Sequence, residues 1–232
     1  MDKTIGIIGA MDIELEEIKK NMTVLETTTI AGMDFLKGTI GNTNVILVKC
    51  GIGKVFASAC TQAMILTFRP DYIINTGVCG SLTGELKTGD VVLGEKVLQY
   101  DMDTSAVGDP IGLISGINKI YFDCDNELTS MIELILREKN ITYKKGVIAT
   151  GDRFINDSKL VSRLRQDFNA VGGDMESGSI GHVCYINNTP FAILRSMSDS
   201  GDENSNEDYG ASLDFAVRTN VGVIMKLLTE SK

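Results

Sequence analysis

The residues whose types and spacing suggest chemistry are acids placed just beyond apolar, strand-like runs. "IGIIGAMDIELEEI" sets Asp12, Glu14, Glu16 and Glu17 after a β-branched run and a tight Gly9-Ala10 turn. "GGDMESGSIGHVC" places an acid–Met–acid triplet, Asp174-Met175-Glu176, at the start of a helical pattern, and "ILRSMSDSGDE" ends a buried run in Ser198-Asp199. "ATGDRFIND" adds Phe154-Ile155 in an otherwise polar loop. Each acid also has a plain structural role. Acids complement a helix macrodipole, worth about 0.3–1 kcal/mol each at an exposed terminus, and they cap helices and form turns. The local sequence does not choose among the four acids after Gly9. Together, carboxylates with an aromatic shelf suit a neutral or cationic ligand, such as a sugar with a base attached.

Several familiar sites are excluded by spacing. A dinucleotide fingerprint needs G-x-G-x-x-G with an acid about 20 residues on, whereas Gly6 and Gly9 are spaced differently and Gly6 lies inside the strand. "CGIGKVFASACTQAM" is not a P-loop, and Lys54 reads as a helix-start lysine before it reads as an anion binder. Asp101 and Asp103 have no nearby histidine or calcium-loop pattern, and with His182 as the single histidine a histidine-based metal site or triad is not expected. Five cysteines without CxxC spacing read as buried free thiols of a reducing compartment.

The elements that must position these acids follow from periodicity. Strand-like runs fall at Thr4–Ile8, Asn44–Lys49, Asp71–Asn75, Asp90–Gln99, Lys145–Thr150 and Phe191–Ser196. Helical patterns cover Asp12–Lys19, Val55–Thr67, Glu127–Lys139, Ser158–Phe168, Met175–Tyr185 and Ser212–Thr229. Ile30–Lys49 reads as a hairpin through Gly41-Asn42, and "TGVCGSL" as a glycine-containing turn after a buried strand. This order predicts an α/β protein, a three-layer α/β/α sandwich around a mixed central sheet, with ligands gathered beyond the strand ends. With three prolines and no linker-like stretch, all 232 residues are read as one domain. A net charge of −9 argues against nucleic acid as a partner. No signal pattern precedes Thr4 and no apolar run approaches the ~20 residues of a membrane span, so a cytoplasmic protein without membrane partner is expected.

In order along the chain, "IGIIGAMDIELEEI", "CGIGKVFAS", "INTGVCGSL", "ATGDRFIN", "DMES" and "SDSGDE" resemble the motifs of the purine nucleoside phosphorylase/uridine phosphorylase superfamily. Within it the chain resembles the bacterial 5′-methylthioadenosine/S-adenosylhomocysteine nucleosidases. Each motif is weak alone; six in register over nearly the whole chain carry the resemblance. It implies hydrolysis of an adenine N-glycosidic bond with no cofactor and no metal. By the resemblance, Asp199 is the acid that protonates adenine at N7 and must carry or share a proton near neutral pH. Ser198 stands beside it in the same motif. Glu14 readies the attacking water, with Arg195 as its hydrogen-bonding helper. Glu176 grips the ribose hydroxyls over Met175, and Phe154 and Ile155 hold the base. An apolar cleft for the 5′ substituent would use Met11, Ile52 and Tyr209, with Val107 on a loop contributed by the second subunit of a homodimer.

Some positions depart from the family pattern. Val78 stands where many relatives have a small hydroxyl residue, Tyr100 where a histidine is frequent, and Val107 where an aromatic is frequent. They bear on which 5′-modified adenosine is taken: the thio-substituted ones, 5′-deoxyadenosine, or aminodeoxyfutalosine. A phosphate-dependent phosphorylase is the other enzymatic alternative, and a nucleoside-binding module without turnover the non-enzymatic one. Gly201–Gly210 has the composition of a mobile lid.

Overall fold

β1 (Thr4–Gly9) is almost wholly buried because both of its faces are covered, as its uninterrupted apolar run requires. In the computed structural model, which describes residues 3–199 and 205–230, it pairs in parallel with β4 (Thr43–Lys49) and β5 (Tyr72–Ser81). Successive side chains alternate between faces. Ile5, Ile7, Val45 and Leu47 share one core with α1 (Asp12–Lys20), α3 (Asn126–Glu138) and α6 (Ser205–Glu230). Ile8, Ile46 and Val48 share another with α2 (Lys54–Phe68) and α5 (Ser177–Ile186). The three layers expected from the sequence are therefore present. A third cluster sets α4 (Ser158–Phe168) against Leu98, Tyr100 and Ile155.

The remaining strands are β2 (Thr23–Ile30), β3 (Met33–Ile40), β6 (Val91–Gln99), β7 (Phe122–Asp123), β8 (Tyr143–Thr150), β9 (Ala170–Asp174) and β10 (Phe191–Asp199). The order is β10-β6-β8-β9-β5-β1-β4-β3-β2, with β7 on β6 and a further pairing of β10 with β5. That last pairing closes part of the sheet on itself. At the junction β5 crosses β9 antiparallel, Gly80 opposite Gly173 and Ser81 opposite Gly172. The ends of β5, β9 and β10 thus converge on one place.

Three readings from the sequence change. "TGVCGSL" is not a turn: β5 runs on to Ser81 because β10 continues the ladder beside it, Arg195 opposite Gly77 and Ser196 opposite Val78. Three strands went unpredicted: the exposed, threonine-rich edge β2, the two-residue β7, and β9, whose glycines hide a strand. α6 begins at Ser205, so the second half of the stretch read as a lid is helix; residues 201–204 lie outside the described ones. All five cysteines are buried and free, and no helix among the described residues is long and apolar enough to cross a membrane.

Asn220 pins α6 to the strands that carry the site. Its Nδ2 donates to Gly77 O at 2.6 Å, and its Oδ1 accepts from Ser196 Oγ at 2.8 Å, all of it buried. Asn220→Ala leaves a buried carbonyl and hydroxyl without their partner, a loss of about 1–3 kcal/mol. Urea unfolding is expected to show this as a lower midpoint with an unchanged slope; an unchanged midpoint would mean that α6 is held by its apolar face alone.

Candidate active site

Glu14 sits in the third position of α1, and its carboxylate turns back over the end of β1. Oε2 accepts from the amides of Ala10 (2.7 Å) and Met11 (2.9 Å), and Oε1 accepts from the amide of Val78 on β5 (3.1 Å). The helix-capping role and the site role are one contact: an acid three residues into a helix reaches the free N–H groups at its start. Gly77 has to be glycine here, since a Cβ would collide with Glu14 Oε1 and Arg195 Nη1.

Arg195, on β10, is fully buried. Its Nη2 lies 2.8 Å from Asp174 Oδ2, 2.6 Å from Asn75 Oδ1, 3.1 Å from Ser177 Oγ and 3.4 Å from Glu176 Oε2. Its Nε also donates to Ser177 Oγ at 3.2 Å. Burial alone would lower the Arg195 pKa, but the negative charges of Asp174, Glu176 and Glu14 hold it above its ordinary value. Asp174 also accepts from Thr150 Oγ1 at 2.5 Å and from the Ser177 hydroxyl. Glu176 opens α5 without capping it. Instead its Oε1 crosses to the amide of Gly53, before α2, at 3.0 Å.

Burial raises Glu14 against the pull of Arg195 and its three amide donors. It pushes Glu176 up to about 7, with neighbouring Asp174 and Glu14 adding to the rise and Arg195 and the Gly53 amide opposing it. Asp199 ends β10 at a register shift, where Ser198 Oγ donates to its Oδ2 at 2.7 Å.

These groups face one cavity of about 340 Å³. Of the residues singled out in the sequence, Glu14, Glu176, Asp199, Met11, Ile52, Val78, Phe154, Ile155, Met175, Arg195 and Ser198 all line it. Val107 does not: it stands on an exposed turn, 82% accessible. The side chain of Tyr209 falls outside the described residues. Sequence reasoning gave no role to Asn75, Asp174 or Ser177. The signal for Asn75 was a polar residue inside the apolar run "YIIN"; for Asp174 it was the first acid of "DMES". Asp101 and Asp103 have structural partners, Asp101 with Lys54 Nζ at 2.5 Å and Asp103 with the amide of Ser105 at 2.9 Å.

A layered α/β fold that brings several carboxylates, one buried guanidinium and an aromatic shelf to a strand-end cleft defines a small-molecule site of the enzymatic kind. The sequence model of the Phosphorylase superfamily matches residues 4–230, and the chain belongs to that family. It is 36% identical over 98% of its length, and 99% of the relative's, to the 5′-methylthioadenosine/S-adenosylhomocysteine nucleosidase of Bacillus thuringiensis (strain Al Hakam). Among solved structures it resembles a mutant MTAN of Helicobacter pylori with 5′-methylthioadenosine in the active site, at a TM-score of 0.95 and 31% identity over 100% of both chains. It also resembles the futalosine hydrolase of Helicobacter pylori strain 26695, at a TM-score of 0.94 and 32% identity, covering 99% of this chain and 98% of the other.

The raised Glu176 has a thermodynamic consequence. An acid whose folded pKa lies above its unfolded value contributes stability that is complete below the unfolded pKa and lost as pH rises through the folded one. Calorimetric scans are therefore expected to show Tm falling as pH rises from about 4.5 to about 7, the window between the ordinary glutamate pKa and the raised value. Glu176→Gln should make that fall shallower. Parallel profiles for the two proteins would place the Glu176 proton elsewhere.

Proposed function

We propose that this protein hydrolyses the N-glycosidic bond between adenine and the ribose of 5′-thio-substituted adenosines, 5′-methylthioadenosine and S-adenosylhomocysteine, with 5′-deoxyadenosine as a further substrate. The observation that carries this reading is the Glu14 carboxylate seated on three amides at a strand end. Those amides are what an anionic nucleophile would otherwise use, and a carboxylate already there favours water over phosphate. The names of the relatives support the substrate class.

In this reading water adds to the anomeric carbon while the bond to adenine breaks and its electron pair passes to the base. Asp199 gives a proton to N7 so that adenine departs neutral, and Glu14 takes the proton of the water. The two carboxylates divide acid and base work as in inverting glycosidases. Glu176, as a carboxylate, accepts the ribose hydroxyls; Met175 lies under the sugar, and Phe154 stacks on the base beside Ile155. Arg195 and Ser198 hold the acids in place. The 5′ substituent lies along Met11 and Ile52, with Val78 facing the reacting end and Tyr209 on the α6 side. Ile52 and Val107 are 55% and 82% exposed, which suits a homodimer in which Val107 of one subunit completes the other's pocket. Likeness to the futalosine hydrolase favours a second reading, the same chemistry on aminodeoxyfutalosine.

The deciding assay offers methylthioadenosine, S-adenosylhomocysteine, aminodeoxyfutalosine and inosine with and without phosphate, and follows free base by chromatography. Adenine is expected from the thio-nucleosides without phosphate; release that requires phosphate would make the protein a phosphorylase. Asp199→Asn and Glu14→Gln are each expected to lower kcat by about 10²–10⁴ while circular dichroism stays native. Tm stays close to native in Asp199→Asn and falls in Glu14→Gln, whose amide cannot serve the N–H donors on both oxygens. Near-normal turnover in either variant removes that residue from its role.

A further inference from the structure

A second polar cluster joins three of the loops that surround the cavity. Gly51–Gly53 precedes α2 and carries Ile52, Tyr100-Asp101 follows β6, and Gly151–Ile155 follows β8 and carries the Phe154-Ile155 shelf. Lys54 Nζ lies 2.5 Å from Asp101 Oδ1, the amide of Asp152 donates to Asp101 Oδ2 at 2.9 Å, and the amide of Lys54 donates to Asp152 Oδ1 at 2.8 Å. The three contacts form a closed ring. Gly53, at φ +98°, is where the ring passes closest to the chain: a Cβ there would stand 2.9 Å from Asp152 Oδ1. α2 has no side-chain cap of its own. Asp152 and Glu176, both from elsewhere, take the amides of Lys54 and Gly53 at its start.

We propose that Asp101, Lys54 and Asp152 form a positioning clasp that fixes the Ile52 loop against the Phe154-Ile155 shelf and, through the amide of Gly53, aims the carboxylate of Glu176. The inference rests on the function proposed above and deepens it: the clasp sets the width of the slot for base and sugar. The Lys54 and Asp101 side chains are 19% and 31% exposed. A pair that meets water contributes little to global stability, so the effect lies in geometry, where small misplacements are costly. Glu176 faces Arg195, Asp174, Glu14 and Cys50 as well as the Gly53 amide. Loosening the clasp withdraws a donor that favours its ionised form.

Kinetics of Lys54→Met, Asp101→Ala and the conservative Lys54→Arg test the clasp, with Asp101→Asn in reserve should the alanine variant not fold. Lys54→Met and Asp101→Ala are expected to raise KM for methylthioadenosine about tenfold with kcat within about twofold of native. The acid limb of kcat/KM should move to higher pH, Tm should change little, and Lys54→Arg should stay near native. Hydrogen exchange in Lys54→Met should speed up over residues 51–56 and 151–156 and nowhere else. Native KM, pH limb and exchange in Lys54→Met and Asp101→Ala would overturn the proposal, as would Lys54→Arg being as impaired as Lys54→Met. If the native protein releases no adenine from any nucleoside, the functional reading fails, and the exchange measurement alone then decides whether the clasp exists.

Discussion

A single buried cation makes the site possible. Arg195 lies out of water among Asp174, Glu176 and Glu14, and moving such groups from solvent costs several kcal/mol each unless they are paired and fully hydrogen-bonded. Here the remaining valences are met: Asn75 and Ser177 take the guanidinium, Thr150 and Ser177 serve Asp174, and Gly53 serves Glu176. The pairing is unequal. Arg195 lies 2.8 Å from Asp174 and 3.4 Å from Glu176, so Asp174 is the closer counter-ion and Glu176 divides its oxygens between Arg195 and the Gly53 amide. One salt bridge thus sorts two acids, two residues apart in the chain, into different work.

The closure of the sheet explains why distant segments reach that cation. In an open parallel sheet the strand ends lie in a row, and residues from β1 and β10 would stand at distant places in the strand order. Because β10 pairs with both β5 and β6, the ends of β5, β9 and β10 stack over one cleft beside the end of β1. Close approach then demands small residues at the crossing. Gly80 faces Gly173, a Cβ on Gly173 would meet Ile155 of the cavity wall, and one on Gly77 would meet both Glu14 and Arg195. The glycines of "TGVCGS" and "VGGD" are conditions of the geometry, not turn signals.

That is also where the sequence is hardest to read. The central strands and the helices are legible from their apolar patterns, α6 only from Ser212 onward; β1, α4 and β4 fall within a residue or two of expectation. β9 and the second half of β5 are not, since glycine has no strand propensity and only the tertiary ladder makes them strands. Of the site residues named by the family resemblance, all but Val107 and the undescribed side chain of Tyr209 line the cavity, whereas Asn75, Asp174 and Ser177 escape notice because their task is to satisfy another buried group. Such a task leaves only a faint mark in sequence: a polar residue where periodicity expects an apolar one. Lys54 shows the limit from the other side. Read as a helix-start lysine, it is one, but its partner lies 47 residues away in Asp101 and no local pattern announces it.

The opening stretch of the chain shows how little needs to change for a fold of this kind to alter its nucleophile. A strand followed by a tight turn and a helix exposes amides and a positive dipole end, which is an anion site. In this protein the anion is supplied internally: Glu14 folds back over Gly9-Ala10 and saturates the amides of Ala10, Met11 and Val78. A phosphate entering there would meet a carboxylate rather than open donors, and Arg195, the nearest guanidinium, is already committed to Asp174 and Asn75. A neutral water faces no such repulsion and finds in the same carboxylate, raised by burial, an acceptor for its proton. In the proposed reaction, hydrolysis rather than phosphorolysis therefore follows from the charge on one side chain at the third position of one helix.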